Sequence, residues 1–183
     1  MLLKLLPFEL KQQIKQGGFW AASIAMIWMA VLITTQRGSA LVFANSAHAI
    51  SQTLLFIAPN IIFVTCVLAS ATVLRDSQYK MESLIFTTPI DKFKYLASRY
   101  FSIALATCAI LFMALIGMMI TPLFLDAELV GPFHFNYYIS NYLLFIVPSV
   151  FLCTSIVFAA AMLSKSMITV FVSGIVLYVI YII

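Results

Sequence analysis

Five apolar runs without a charged residue or a histidine dominate this 183-residue sequence. A helix that crosses a bilayer needs about 17–25 predominantly apolar residues, and each run is of that length. The runs cover approximately residues 19–35, 54–74, 100–121, 142–163 and 167–183. Because 64% of the residues are hydrophobic and only 9% are charged, the chain lacks the polar surface that a water-soluble domain needs. The sequence therefore predicts an all-α integral membrane protein with about five transmembrane helices.

The basic residues are distributed unequally between alternate connecting segments. If the N-terminus is cytoplasmic, Arg37 is the only basic residue in the segments on the outer side of the membrane. The nine basic residues on the inner side are Lys4, Lys11, Lys15, Arg75, Lys80, Lys92, Lys94, Arg99 and Lys165. The positive-inside rule therefore predicts a multi-pass protein of a cell membrane, such as a bacterial inner membrane, with its N-terminus in the cytoplasm. The net charge of +4 then indicates topology and contact with anionic lipid, and no nucleic-acid partner is expected.

An amphipathic helix is predicted ahead of the first run, over residues 5–16. Pro7 and Glu9 suit its first turn, and the glycine pair at 17–18 suits its end. Apolar side chains recur at helical spacing on one face, at Leu6, Leu10 and Ile14. Another face carries the residues expected to contact lipid phosphates at the membrane interface, which are Lys4, Lys11 and Lys15. A frayed basic tail is the alternative interpretation.

The cytoplasmic segment 75–99 is longer than a connection between two packed helices requires. Residues 80–86 can form a short helix, which Pro89 ends because proline disfavours helical geometry in the residue before it. Asp91 is a suitable N-cap for a helix that leads into the third run. A short amphipathic helix of this kind suits a partner that docks against it. A linker held against the membrane fits the same pattern, and the residues alone do not choose between the two.

Several motifs in and around this segment resemble the first cytoplasmic loop of type-2 ABC transporter permeases. They are Arg75-Asp76, the stretch ESLIFTTPI at 82–90, Tyr95-Leu96 and Arg99. In that family an Arg-Asp/Glu pair, a Leu-Glu-x-Leu-Leu block and Thr-Pro mark the coupling helix, which docks onto an ATPase subunit. Segment 5–16 is similar to the family's amphipathic elbow helix.

The match to the family pattern is incomplete. Tyr79-Lys80 stands where Gly-Thr is often found, Met81 takes the place of a leucine, and Ser98-Arg99 replaces a later Gly-Lys. These differences put the preference for a particular partner in doubt, while the remaining motif agrees with the family.

The resemblance implies a set of residues that couple the chain to its ATPase. They are Lys80, Met81, Glu82, Leu84, Ile85, Phe86, Thr88 and Pro89. It further implies that Arg75 and Arg99 anchor the ends of the loop, although either could be an interface residue that extends its charge to the membrane surface. The implied partners are a P-loop ATPase subunit, a second permease unit in a homodimer or pseudo-dimer, and the lipid bilayer.

The chain carries no phosphate-binding loop of the Gly-x-x-x-x-Gly-Lys-Ser/Thr type, so the partner ATPase would bind ATP and magnesium. No cofactor, metal site or enzymatic activity is therefore expected in this chain. Gly131-Pro132-Phe133, Pro148 and segment 164–167 resemble a branch of the family in which some members carry a zinc aminopeptidase-like domain further along. Because family permeases usually have six spans per unit, we expect this chain to be the N-terminal part of a longer permease.

Three function classes are weighed against the sequence. The favoured one is the permease subunit of an ATP-driven exporter, which couples a partner ATPase to substrate movement. The apolar runs support it, because carriers driven by protons or sodium usually keep an ionisable residue within their spans. The alternative is a non-transporting membrane scaffold that recruits a cytoplasmic protein through segment 75–99. A membrane-embedded enzyme is the weakest reading, since no catalytic constellation is recognisable.

Overall fold

The computed structural model describes residues 2–36, 42–78, 92–164 and 166–182, and the regular structure in these ranges is helical. The α-helices in chain order are α1 (Leu2–Ile14), α2 (Gly17–Thr35), α3 (Ala47–Ile57), α4 (Asn60–Gln78), α5 (Lys92–Ile120), α6 (Phe135–Asn141), α7 (Val147–Ser164) and α8 (Met167–Ile182). Two 3₁₀ turns, Thr121–Phe124 and Ala127–Leu129, follow α5. A π-helical turn, Tyr142–Ile146, joins α6 to α7.

The helix bounds differ most from the sequence-based expectation in the second run. A single span over 54–74 was expected, but the structure has two helices that begin at Ala47 and end at Gln78, with a bend of 45° at Ala58-Pro59. The N-terminal helix also has other bounds than the predicted 5–16. Helix α1 covers Leu2–Ile14, so Pro7 lies in its interior and not in its first turn. The Gly17-Gly18 pair does not end α1 but begins α2.

Among the residues that the structure describes, three helical stretches are long and apolar enough to cross a membrane: Gly17–Thr35, Phe93–Phe124 and Phe135–Ser164. The bent pair of α3 and α4 is a fourth if its two halves form one span. Met167–Tyr181 is apolar but shorter than these. At a rise of about 1.5 Å per residue, the 32 residues of Phe93–Phe124 extend about 48 Å, against about 30 Å for the apolar core of a bilayer.

Helix α5 is the centre of the bundle, since it packs against α1, α2, α4 and α7. Ile103, Ile110 and Leu115 are fully buried along its length. Gly117 allows α2 to approach closely, because a Cβ at this position would lie 3.2 Å from the carbonyl oxygen of Ile27. The surface of the bundle is largely apolar, as Trp28 on α2 and Ile168 on α8 illustrate. Such a surface is costly in water and natural in lipid.

Two hydrogen-bonded pairs show that α5 and α7 run antiparallel. The Tyr100 hydroxyl lies 3.0 Å from the Ser155 hydroxyl, and the Tyr142 hydroxyl donates to the carbonyl oxygen of Cys108 at 2.7 Å. The bundle therefore has an α1 end, where α4 ends and α5 begins, and a far end. We use "far end" for the residues 42–46 and 121–135 at the opposite ends of these helices.

Candidate functional site

The residues expected to couple the chain to an ATPase lie outside the described part of the chain. They are Lys80, Met81, Glu82, Leu84, Ile85, Phe86, Thr88 and Pro89. The two helices that flank them are described: α4 ends at Gln78 and α5 begins at Lys92. Arg75 lies in the last turn of α4 and Lys4 in the first turn of α1.

A buried ion pair joins α1 to the beginning of α5. The Nε atom of Arg99 lies 3.7 Å from the Oε1 atom of Glu9, and the two side chains are only 4% and 7% exposed. The guanidinium carbon of Arg99 also lies 4.7 Å from the ring centre of Tyr95, one turn earlier on α5. At this degree of burial water screens the charges weakly, so the attraction between them is stronger than that of a surface pair.

A buried amide continues this contact one turn further along α1. The Gln13 Nε2 donates to the hydroxyl oxygens of Thr72 on α4, at 3.2 Å, and Ser102 on α5, at 3.1 Å. Thr72 in turn donates its proton to the backbone carbonyl four residues earlier, and Ser102 donates to the carbonyl three residues earlier. Each hydroxyl is thus both donor and acceptor, which fixes the orientation of the Gln13 amide.

We call Glu9, Gln13, Thr72, Arg99 and Ser102 the polar junction. It attaches α1 to the two helices that flank residues 79–91. Breaking one of its bonds leaves a buried polar group, at a cost of about 1–3 kcal/mol for a neutral group and more for a charged one. The end of α4, the beginning of α5 and α1 are therefore expected to move together.

The side of α1 opposite Glu9 and Gln13 is exposed, and α2 contacts the C-terminal end of α1. At 100° per residue, Lys11 and Lys15 lie nearly opposite the face formed by Glu9 and Gln13, and both lysines are exposed. Ile14 is 44% exposed, and its backbone carbonyl accepts a hydrogen bond of 2.9 Å from the Trp20 indole. The apolar face expected at Leu6, Leu10 and Ile14 thus lies beside the buried face rather than forming it.

These contacts correct the role expected of Glu9 and narrow the role expected of Arg99. Glu9 was expected to stabilise the first turn of its helix, but it lies in the second half of α1 and faces a basic side chain. Arg99 was expected either to anchor one end of the loop or to extend its charge to the membrane surface. Its side chain is buried, which contradicts the second alternative, while the loop anchor stays a prediction. The signal that could have found this site is the i, i+4 spacing of Glu9 and Gln13, which gives α1 a polar face distinct from its lysines.

The far end is held together by backbone and amide hydrogen bonds. The Asn45 Oδ1 accepts from the Gly131 N–H at 2.8 Å, and the Asn45 Nδ2 donates to the Gly131 carbonyl oxygen at 2.6 Å. A Cβ at position 131 would lie 2.9 Å from the Phe43 ring, so a larger residue there would require this ring to shift. An open cleft of about 340 Å³ lies beside it, lined in part by His134 and Tyr137. Within the described residues, His, Cys, Asp and Glu side chains form no cluster of three or more that could hold a metal ion.

Fold and site together define a helical protein in which three helices, or four with the bent pair, can cross a membrane, and in which a polar junction ties α1 to the bundle. No family model matches the chain, and no curated protein and no solved structure matches it significantly.

Proposed function

We propose that this chain is the membrane-spanning permease unit of an ATP-driven exporter, located in a cell membrane with its N-terminus in the cytoplasm. A separate P-loop ATPase binds and hydrolyses ATP with magnesium, and a second permease unit completes the pathway. The loop motifs around residues 82–90 and the distribution of basic residues support this proposal at the level of sequence.

The polar junction is the observation that carries the proposal. In an exporter of this kind the ATPase grips the loop between α4 and α5, and its motion has to reach the bundle. A loop joined to two independent helices would transmit this motion poorly. Here the buried bonds of Gln13 to Thr72 and Ser102 connect both flanking helices through a third helix. A force applied to residues 79–91 would therefore displace α1, α4 and α5 as one body.

Two exposed lysines, Lys11 in α1 and Lys15 directly after its end, add a contact with the lipid. Lys11 and Lys15 lie on the side of α1 that faces away from Glu9 and Gln13. Basic side chains near an anionic cytoplasmic leaflet are attracted by about 1 kcal/mol each. This attraction would hold α1 at the membrane surface while the polar junction holds it to α4 and α5, so that α1 serves as the pivot of the moving unit.

A double substitution in the loop tests the coupling assignment. Glu82→Lys combined with Leu84→Asp reverses a charge and removes an apolar contact within the expected docking helix. We expect binding of the partner ATPase to weaken about tenfold or more, as at an interface hot spot, and ATPase stimulation to fall accordingly. The measurement is ATP hydrolysis by the complex in lipid nanodiscs.

The matched control is Glu128→Lys combined with Leu123→Asp, which makes the same changes at exposed positions of the far end. It should leave ATPase stimulation unchanged. Unaltered stimulation in the loop variant, at normal expression, would show that the loop is not the coupling element. A scaffold would bind its partner through the loop, but ATP would not change the conformation of the bundle.

A further inference from the structure

The helix formed by α3 and α4 has a weak turn near its middle. Pro59 has no N–H to donate, and around it the backbone tightens, with the Ile61 N–H donating to the Ala58 carbonyl oxygen at 3.0 Å. The Asn60 side-chain amide donates to the carbonyl oxygen of Ile57 at 3.3 Å. The two helices meet here at 45°. Local side-chain bonds thus replace the regular backbone bonds, which leaves this turn easier to bend than the helices on either side.

The helix formed by α6 and α7 has a second weak turn. In the π-helical turn Tyr142–Ile146 the bonding pattern widens, because the Val147 N–H donates to the carbonyl of the first residue of the turn. Pro148 follows directly and supplies no backbone donor. The Ser149 hydroxyl donates to the Phe145 carbonyl oxygen at 2.7 Å. Turns of this type are sites where helices bend, and α3 packs against this one.

Polar bonds join the two helix halves beyond these turns. The Ser51 hydroxyl on α3 lies 2.9 Å from the Oδ1 atom of Asn141 on α6 and 2.7 Å from the carbonyl oxygen of Ala47, so its proton is shared between them. Asn141 directs its amide nitrogen to a carbonyl of its own helix, which fixes Oδ1 toward Ser51. The bonds between Asn45 and Gly131 connect the segments that lead into these same two helices.

From this arrangement we propose that α3, α6 and the contact between Asn45 and Gly131 form one rigid unit, which pivots on the rest of the bundle at Pro59 and at the π-helical turn. On the other side of the two turns, α4 and α7 pack against α5 and α8. A pivot at two neighbouring turns changes the opening between the helices at the far end. We call this opening the gate. It lies at the end of the bundle opposite residues 79–91, and its proposed motion does not depend on the proposed ATPase partner.

Spin labels across the two turns test the pivot in the full chain in nanodiscs. One label at Leu163, near the end of α7 and 87% exposed, is paired in turn with a label at Leu55 on α3 or at Phe135 on α6. Phe135 and Leu163 are about 42 Å apart along the helix axis. The background replaces the three native cysteines, Cys66, Cys108 and Cys153, with alanine. Distance distributions are measured by double electron–electron resonance.

We expect two populations in each distribution, with the same minor fraction for both pairs. Pro59→Ala restores a backbone donor in the α3–α4 turn, so the minor fraction should fall about fivefold, which corresponds to about 1 kcal/mol for one hydrogen bond. The decisive result is that this fall also appears at the Phe135 label, on the other helix. When Ser51→Ala and Asn141→Ala are added to Pro59→Ala, the fall in the minor fraction should appear only for the pair with the Leu55 label.

Pro122→Ala, in a 3₁₀ turn outside the two weak turns, is the control and should leave both fractions unchanged. A single narrow population for both pairs would show that no pivot exists. Different minor fractions for the two pairs, or a Pro59→Ala effect restricted to α3 in the parent, would show that the two helix halves do not move as one unit.

Discussion

Removing the Glu9 carboxylate tests whether the polar junction stabilises the bundle as its geometry indicates. In Glu9→Leu an apolar side chain of similar volume takes the place of the carboxylate, so that no large cavity forms. Arg99 then remains buried without this counter-charge. Replacing both partners, in Glu9→Leu combined with Arg99→Met, removes the buried charge altogether.

The expected magnitude follows from distance and burial. At 3.7 Å and an effective dielectric constant of about 20, two unit charges attract each other by about 4.5 kcal/mol. Removal of one partner of a buried pair typically costs about 3–5 kcal/mol. The Tyr95 ring, 4.7 Å from the guanidinium carbon, continues to stabilise the cation by about 1 kcal/mol. We therefore expect Glu9→Leu to lower the free energy of unfolding by about 3 kcal/mol.

The assay is unfolding of the purified protein by a graded replacement of mild detergent with dodecyl sulfate, followed by circular dichroism. The double variant should recover to within about 1 kcal/mol of the parent, because a buried pair and a well-packed apolar pair are often similar in stability. A loss below about 1 kcal/mol in Glu9→Leu would refute the buried ion pair. A double variant no more stable than Glu9→Leu would show that the loss comes from packing and not from charge.

Three further changes test other contacts, the first two by the same unfolding assay and the third by hydrogen exchange. Gly174→Ala should lower the free energy of unfolding by about 1–3 kcal/mol, because its Cβ would lie 2.5 Å from the Cys66 sulfur. Adding Cys66→Ala should restore most of this stability. If Gly174→Ala has no effect, α8 does not approach α4 as closely as the structure shows. Gln13→Leu should cost about 1–2 kcal/mol, since two buried hydroxyls lose a donor, and Gln13→Glu should not restore it because a carboxylate cannot donate. Asn45→Ala should accelerate hydrogen exchange of the Gly131 amide about tenfold or more, and unchanged exchange would contradict the bond between them.

The uncharged runs predicted the helices well where nothing interrupts them. The first run, expected over 19–35, corresponds to Gly17–Thr35. The second was misjudged at its beginning, because His48, Ser51 and Gln52 make the first turns of α3 too polar to register as part of an apolar run. Hydropathy also does not register a bend at a proline, and the break at Pro59 separates two helices that were expected to be one.

The candidate site was only partly accessible to sequence reasoning. The loop motifs indicated residues 80–89, which lie outside the described residues. The spacing of the lysines indicated the exposed side of α1, whereas Leu10 is half-buried and packs against the core. The polar junction was missed because Gln13 meets partners 59 and 89 residues away in the sequence. No local pattern indicates which polar face of a short helix will be buried against such distant hydroxyls. The partner of Arg99 was missed for the same reason, since Glu9 lies on another helix.

The most direct test of the proposed function is the identity of the protein that binds this chain in its native membrane. An affinity tag placed ahead of Met1 at the native locus, followed by gentle extraction in detergent, isolates the intact complex for mass spectrometry. We predict a P-loop ATPase in stoichiometric amount, whose ATP hydrolysis changes when this chain is present. An intact chain that co-purifies with a different abundant partner and without an ATPase would contradict the proposal and favour a membrane scaffold.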